Sequence, residues 1–169
     1  MCDLPFDLTS LFQAITAIGT LTAAIYSANA ARSVRTQTKA SVQLSCLSSY
    51  TATQQNKLKA SQSSSPDLCK AYFRELFDLH WAEHQLWKAN SIDDPVMKTW
   101  LNVRFNDYKN KDSLIIKDKK GKKLTITYPG VWDDLIRTEY FKETDDFVKL
   151  MILTHEGKID EALRLKNSK

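Results

Sequence analysis

The chain has 169 residues, 43% of them hydrophobic, and a formal net charge of +4 at pH 7. This length allows one domain with a modest core and a short additional segment. Residues 1–60 carry most of the excess positive charge, and the nearly neutral remainder argues against a broad nucleic-acid-binding surface. The three cysteines have neither metal-binding nor redox spacing, which predicts free thiols in a reducing compartment.

The first predicted element is a helix through the uncharged stretch from Leu8 to Ala31. At a rise of about 1.5 Å per residue, this stretch is long enough to cross the hydrocarbon core of a bilayer, which is about 30 Å thick. The charged residues that precede it are all acidic, and Arg32 and Arg35 follow it. The positive-inside rule therefore predicts a single-pass protein of the bacterial inner membrane, with its C-terminal domain in the cytoplasm and the lipid bilayer as a partner.

A polar face along this helix predicts that it contacts copies of itself. On a helical projection, hydroxyl, amide and small side chains gather on one side, opposite the large apolar ones. Unpaired polar groups are costly in hydrocarbon, and small residues at four-residue spacing let helix backbones approach closely. The predicted pore-lining or helix-contact residues are Gln13, Thr16, Gly19, Thr20, Ala23 and Ser27.

Two alternatives remain open for the same stretch. Its polar content makes membrane insertion marginal, so it also suits the central helix of a water-soluble bundle. The sequence Ala28-Asn29-Ala30 resembles the cleavage site of a signal peptide, but acidic residues and no Lys or Arg precede it. Processing is therefore not expected.

The predicted organisation has three parts: an N-terminal segment with the transmembrane helix (1–31), a juxtamembrane helix and linker (32–65), and a helical cytoplasmic domain (66–169). The first helix continues past the membrane because no Pro or Gly occurs between Thr20 and Ser65. The serine-rich stretch before Pro66 ends it, since a residue that precedes proline disfavours the helical conformation.

The cytoplasmic domain is predicted to be mainly helical, with one small β-hairpin inserted. Its first helix runs from Asp67 to about Asn90, and the next begins near Pro95. Two short β-branched runs flank a lysine-rich turn at about 113–128, which indicates a hairpin. Three short helices follow, the second of which ends at Gly157. The face of the second cytoplasmic helix that we expect to be buried consists of Val96, Trp100, Val103 and Tyr108.

Arg74 and His80 lie on the first cytoplasmic helix, in the sequence RELFDLH. This R-x5-H spacing resembles the signature of the HEPN superfamily of helical ribonucleases, whose composite site forms between two protomers. The resemblance implies that His80 transfers a proton at the ribose 2′-hydroxyl while Arg74 stabilises charge on the phosphate. Glu75 follows Arg74 where family members usually carry Asn, Asp or His, so we lean towards a protein without nuclease activity. The structural alternative is an Arg74–Asp78 ion pair beside a packed His80 ring.

The same helix contains the sequence HWAEH, from His80 to His84. Two histidines one turn apart can share a zinc ion, and H-x-x-E-H is the inverzincin pattern of zinc peptidases. The chain is far smaller than those peptidases and offers no assignable third ligand, so no metal or other cofactor is predicted. The lysine cluster from Lys117 to Lys123 is interpreted as a solvated hairpin tip, which leaves direct RNA binding open.

Chain size, the order of the elements, and the pair Arg74 and His80 together resemble the small membrane accessory proteins of type VI-B CRISPR systems. The resemblance implies a divergent HEPN-like fold that forms a homo-oligomeric pore or permeability effector and enhances RNA-guided antiphage defence. Two alternatives are a membrane-tethered HEPN-type ribonuclease that acts as a dimer, and a membrane-anchored adaptor. The implied partners are further copies of the chain and, through functional coupling, an RNA-guided CRISPR nuclease.

Overall fold

The structure, a computed structural model, describes residues 8–63, 65–117 and 121–167, with the side chains of the first helix described from Gly19 onward. Helix α1 is the longest element and spans Leu8–Gln62. Its polar residues do not interrupt it, because threonine hydroxyls donate to carbonyl oxygens one turn earlier. The Thr36 hydroxyl donates to Arg32 at 3.0 Å, and the Thr51 hydroxyl donates to Leu47 at 2.9 Å.

No helix in the described ranges combines the length and the apolar content that crossing a bilayer requires. The predicted fold class with an N-terminal transmembrane helix is therefore wrong, and so is the single-pass inner-membrane localisation. That prediction depended on the absence of charge, but an uncharged stretch need not be sufficiently apolar. Eight of the 24 residues from Leu8 to Ala31 are Ser, Thr, Asn or Gln and seven are Ala, so few large apolar side chains remain.

The chain divides into two compact units, Met1–Ser41 and Val42–Lys169. The buried apolar residues of the described ranges all belong to the second unit, where they run from Cys46 to Ala162. In the first unit, every described side chain except that of Lys39 is exposed. The hydrophobic core is therefore built within the second unit.

Helix α2, Pro66–Lys88, supplies nine buried side chains to this core. Pro66 presets the backbone of the first turn, and Asp67 places a negative charge at the positive end of the helix dipole. Two adjoining rows of large side chains face the core, because apolar residues recur at intervals of about three and four positions. The buried aromatic and leucine side chains of these rows are Tyr72, Phe73, Leu76, Phe77 and Trp87.

Helix α3, Asp94–Lys109, packs three of the four side chains expected on its buried face against the core, partly buried: Val96, Trp100 and Tyr108. It buries Met97, Leu101 and Arg104, whereas Val103 is 44% exposed. The prediction that Val103 is buried is therefore wrong. Apolar rows begin at adjacent positions in this helix, and only packing against the other elements decides which row is covered.

A two-stranded antiparallel hairpin follows α3. Strand β1, Ser113–Lys117, pairs with β2, Lys123–Thr127, so that Ser113 lies opposite Thr127 and Lys117 opposite Lys123. Alternate side chains of the hairpin point into the core, as the period of a strand requires. The buried ones are Leu114, Ile116 and Ile126.

Three short helices complete the second unit: α4 (Tyr128–Arg137), α5 (Asp146–His155) and α6 (Ile159–Arg164). Helix α4 begins directly after β2, where the Thr127 hydroxyl accepts the backbone N–H of Gly130 at 3.1 Å. Gly157 follows α5 with a φ of +77°, a left-handed conformation that ends helices and that glycine adopts without strain. Both α5 and α6 pack against α3.

Candidate functional site

Arg74 lies on an exposed side of α2. Its guanidinium carbon is 5.1 Å from the centre of the Tyr140 ring, which makes a cation–π contact. The Tyr140 hydroxyl donates to Asp78 at 2.9 Å, so a tyrosine connects the arginine with the carboxylate that we expected it to pair with. Arg74 is therefore accessible from solvent and lies outside the core.

His80 lies in the core, on a different side of α2. Six residues rotate a position by about 240° around an α-helix, so Arg74 and His80 point in different directions. His80 is 4% exposed, and its Nδ1 lies 3.3 Å from Glu83 Oε2. Within one chain, the structure therefore brings His80 together with Glu83 and not with Arg74.

The arginine that accompanies His80 is Arg104 of α3, a residue that the sequence analysis missed. Its Nη2 donates to the same Glu83 oxygen that His80 contacts, and Arg104 is 2% exposed. The sequence does carry a signal for it: Arg104 lies on the buried row of Met97 and Leu101. A charge on such a row is unusual and requires a buried partner.

Burial and pairing fix the protonation states in this cluster. Burial lowers the pKa of His80 to about 4, and the charge of Arg104 acts in the same direction, so the ring is neutral at pH 7. Burial alone would raise the pKa of Glu83, but Arg104 and the His80 hydrogen bond outweigh it and hold the pKa below its usual value. Because the Glu83 carboxylate can only accept, His80 carries its proton on Nδ1 and leaves Nε2 as an acceptor.

Two nitrogens of the cluster are buried without a hydrogen-bond partner in the described ranges, His80 Nε2 and Arg104 Nη1. One is an acceptor and the other is a donor. Buried polar groups are usually paired, and an unpaired one costs about 1–3 kcal/mol. Almost no water-accessible surface remains on either nitrogen, so the surrounding side chains enclose both atoms.

A cavity of about 180 Å³ adjoins this cluster, between α1, α2 and α3 of the second unit. Four of the side chains in its wall are acidic or basic: His80, Glu83, Arg104 and Asp107. The rest of the wall is apolar or aromatic: Cys46, Leu47, Tyr50, Trp100 and Val103. Such a mixture, mainly apolar with a few polar groups, is typical of small-molecule sites.

No protein-family model, curated protein or solved structure matches this chain. The chemistry of the side chains must therefore indicate what the arrangement can do. Arg104 is neutralised by Glu83 and is too deeply buried to meet a phosphodiester, and the neutral His80 is buried beside it. The cluster is better suited to binding a small molecule than to cleaving RNA.

Asp107 adds a carboxyl group to the cavity wall. Burial, and after it the nearby charge of Asp112, raises the pKa of Asp107 to about 6. Lys57 limits this effect, because its ammonium group donates to Asp112 at 2.7 Å. Asp107 is thus predominantly ionised at pH 7 and predominantly neutral at pH 5.

His84, the second histidine of HWAEH, is engaged elsewhere. Its ring centre lies 5.9 Å from that of Phe147, and its Nδ1 lies 3.5 Å from Gln85 Nε2. Across residues 8–63, 65–117 and 121–167, no group of three or more His, Cys, Asp or Glu side chains is placed to hold a metal ion.

The predicted contact residues of α1 lie in the first unit. The side chains of Gln13 and Thr16 fall outside the described ones. Each of the other four is exposed to solvent: Gly19, Thr20, Ala23 and Ser27.

Two rows of side chains lie on opposite sides of this part of α1. At about 100° per residue, Gly19, Ala23 and Ser27 fall on one side, which we call the small-residue row. Leu21 and Ile25, which are 64% and 54% exposed, fall on the other side, which we call the apolar row. The helix thus presents small side chains on one side, bordered by the exposed Tyr26, and a raised apolar surface on the other.

Proposed function

We propose that this chain is a self-assembling helical protein without nuclease activity that supports an RNA-guided defence nuclease. The observation that carries the proposal is the pair of opposite exposed surfaces on α1, the small-residue row and the apolar row. Support for the link to RNA-guided defence comes from the R-x5-H resemblance and from the order of a long first helix before a helical body.

Exposure of the first part of α1 favours a protein partner. A helical segment that packs against nothing is marginal in water, because most helical stability in proteins comes from burying an apolar face. Leu21 and Ile25 lie one turn apart and are more than half exposed, as is Val34 at 61%. Residues 8–31 carry no charge, so a partner can cover this segment without desolvating an ionised group.

The two rows favour further copies of the same chain as that partner. Small side chains let a second helix approach closely, and a neighbouring apolar row can fill the shallow surface they leave. Because each copy carries both surfaces on opposite sides, the apolar row of one copy packs on the small-residue row of the next. Such head-to-tail contacts produce rings when the rotation closes and filaments when it does not.

The positions of Arg74 and His80 support the absence of nuclease activity. The composite site that the resemblance implies needs a histidine that reaches the ribose and an arginine that reaches the phosphate. His80 is buried against Glu83, and Arg74 is exposed over Tyr140. A ribonuclease would need the core of the second unit to open before His80 could meet a substrate.

The mass of the full-length protein in solution tests the assembly. We expect wild-type protein to form a species of several copies by light scattering. We expect Ala23→Leu to lower that mass, because the added side chain fills the small-residue row. Ala31→Leu is the matched control: it makes the same replacement on the same helix, between the two rows, and should leave the mass unchanged. A wild-type monomer, or equal masses for the two variants, would contradict the proposal.

A plaque assay tests the accessory role. Cells with an RNA-guided nuclease should restrict phage more strongly when they also express this chain, and Ala23→Leu should remove the added protection. Arg74→Ala and His80→Gln should retain it, provided that both variants assemble. Loss of protection and of RNA cleavage in Arg74→Ala, with its mass unchanged, would instead support the ribonuclease alternative.

A further inference from the structure

We infer that the cavity between α1, α2 and α3 binds an uncharged, single-ring nitrogen heterocycle of the pyrimidine-base type. The inference concerns the second unit alone and does not depend on assembly through α1. Its basis is the size of the cavity, the character of its walls and the polar ends of Tyr50 and Asp107 within them.

The volume of the cavity limits the ligand to one ring. An apolar protein cavity of about 150 Å³ is known to accept benzene, so the roughly 180 Å³ seen here admits a six-membered ring with a few polar substituents. It does not admit a ring together with a ribose and a phosphate. A nucleoside could therefore place only its base inside.

The walls favour a planar ring. Tyr50 and Trp100 contribute aromatic surface to the wall, and Cys46 adds a small side chain. Leu47 and Val103, which are 59% and 44% exposed, place apolar side chains where the cavity meets solvent. Aromatic and aliphatic surfaces of this kind can cover a planar ring.

The polar groups of the wall require both a donor and an acceptor on the ligand. The Tyr50 hydroxyl in the wall can donate to a ring carbonyl. The Asp107 carboxylate can accept a ring N–H. An amide-like N–H and C=O edge, such as that of uracil, supplies both kinds of group.

The charge of the wall excludes an anionic ligand. The positive charge of Arg104 is neutralised by the Glu83 carboxylate that it contacts. Asp107 then leaves the wall negative at pH 7.5, so an anion would meet repulsion in a poorly solvated site. An uncharged ring avoids this cost.

Titration of the full-length protein with uracil, benzene and 1,3-dimethyluracil at pH 7.5 tests the inference, with binding followed by NMR or calorimetry. We expect saturable binding of uracil that is at least tenfold tighter than binding of either comparison ligand. Benzene lacks the polar edge, and dimethyluracil lacks the N–H donors. No saturable binding of uracil, or equal affinity for benzene, would overturn the inference.

Variants at the mouth of the cavity locate the binding. Val103→Trp and Leu47→Trp each add a bulky side chain at the mouth, and we expect each to weaken uracil binding at least tenfold. Thr99→Trp is the matched control on α3, because Thr99 is exposed and does not line the cavity. Undiminished uracil binding in both mouth variants would place the ligand elsewhere and overturn the inference.

A comparison of uracil with uridine identifies the source of the ring. Tighter binding of uridine indicates a base presented by a nucleoside, with the sugar outside the cavity. Tighter binding of uracil indicates the free base. Either result, combined with loss in Val103→Trp, supports the inference.

Discussion

Glu83 accepts contacts from two buried side chains through a single carboxylate oxygen. The guanidinium of Arg104 neutralises it, and the ring of His80 donates to it. A buried ion pair adds little net stability, because removing two charges from water costs nearly as much as their attraction returns. Removing one member is different, since the other is then left as an uncompensated charge in the core.

Replacing Glu83 with Ala should lower the free energy of unfolding by about 3–5 kcal/mol, because Arg104 loses its counter-charge in the core. Glu75→Ala is the control: Glu75 is exposed on the same helix and, within the described residues, accepts from Asn56, so we expect a loss of about 0.5 kcal/mol or less. Urea unfolding measures both. Similar losses for the two variants would show that Arg104 does not depend on Glu83. The double replacement Glu83→Leu with Arg104→Met should recover much of the loss.

Stability should fall as the pH drops below about 6.5. Burial lowers the pKa of His80 and His84 to about 4 and that of His155 to about 3, so the folded chain holds these rings neutral while the unfolded chain protonates them. The free energy of unfolding is therefore largest above pH 6.5 and decreases towards pH 4. Asp107, whose pKa is raised to about 6, opposes part of this trend, because the folded chain takes up its proton first.

The variant His155→Phe isolates one of these contributions. The His155 ring stacks on Tyr108 with centres 3.9 Å apart, and a phenyl ring can keep that contact. We expect the decrease in unfolding free energy between pH 6 and pH 4 to be less steep in the variant, by up to about 1.4 kcal/mol per pH unit. Urea titrations at pH 6, 5 and 4 measure the slope. An unchanged slope would mean that His155 binds a proton equally in both states.

The sequence indicated His80 as a special position but did not identify its companion. The R-x5-H spacing drew attention to Arg74, which lies close to His80 along the chain but on another side of the helix. The actual neighbour, Arg104, is 24 residues away on α3 and depends on how two helices pack. Spacing within one helix cannot report such a contact, although the charge on the buried row of Met97 and Leu101 hints at it.

Helix ends in this chain were easier to predict than helix faces. Pro66 and Gly157 act through local backbone conformation, so sequence alone places the start of α2 and the end of α5 close to their observed positions. The buried face of α3 depends on neighbouring helices, and there the prediction failed at Val103. The transmembrane prediction failed for another reason. The stretch from Leu8 to Ala31 lacks charge, but lack of charge does not make it sufficiently apolar.

The junction of β2 and α4 depends on one hydroxyl. Thr127 ends the strand and caps the helix by accepting from Gly130 N–H at 3.1 Å. Replacing it with Ala should lower the free energy of unfolding by about 1 kcal/mol, as for other helix caps. Thr125→Ala is the control, since Thr125 lies on the same strand and is exposed. Chemical unfolding that shows no difference between the variants would indicate that the cap contributes nothing.

At the scale of the molecule, the hydrophobic core belongs to one of the two units, and the described part of the other unit consists of exposed helix. The described buried apolar residues lie between Cys46 and Ala162, and the first unit contributes none. The second unit therefore contains the hydrophobic core that cooperative folding needs, whereas the described side chains of the first unit are almost all exposed. We propose that the first unit serves assembly and that the second unit serves binding.

A truncated chain of residues 42–169 tests this division. We expect it to fold as a monomer that retains its near-UV circular dichroism, because the described aromatic contacts of the core all lie within it. Far-UV helical signal should decrease by the share of residues 8–41. Sedimentation and uracil titration complete the measurement. Loss of the near-UV signal would show that the core needs the first unit.

The opposite placement of the two rows on α1 has a further consequence. A copy that carries Ala23→Leu keeps its apolar row, so it can still bind the small-residue row of a wild-type neighbour. Its own small-residue row is filled, so the next copy cannot bind to it. The variant copy would therefore stop the growth of the assembly. When it is a minor fraction of the coexpressed protein, the variant should disrupt a larger fraction of the assemblies than its share of the copies. Symmetrical pairing through one shared face would not produce this dominant-negative effect.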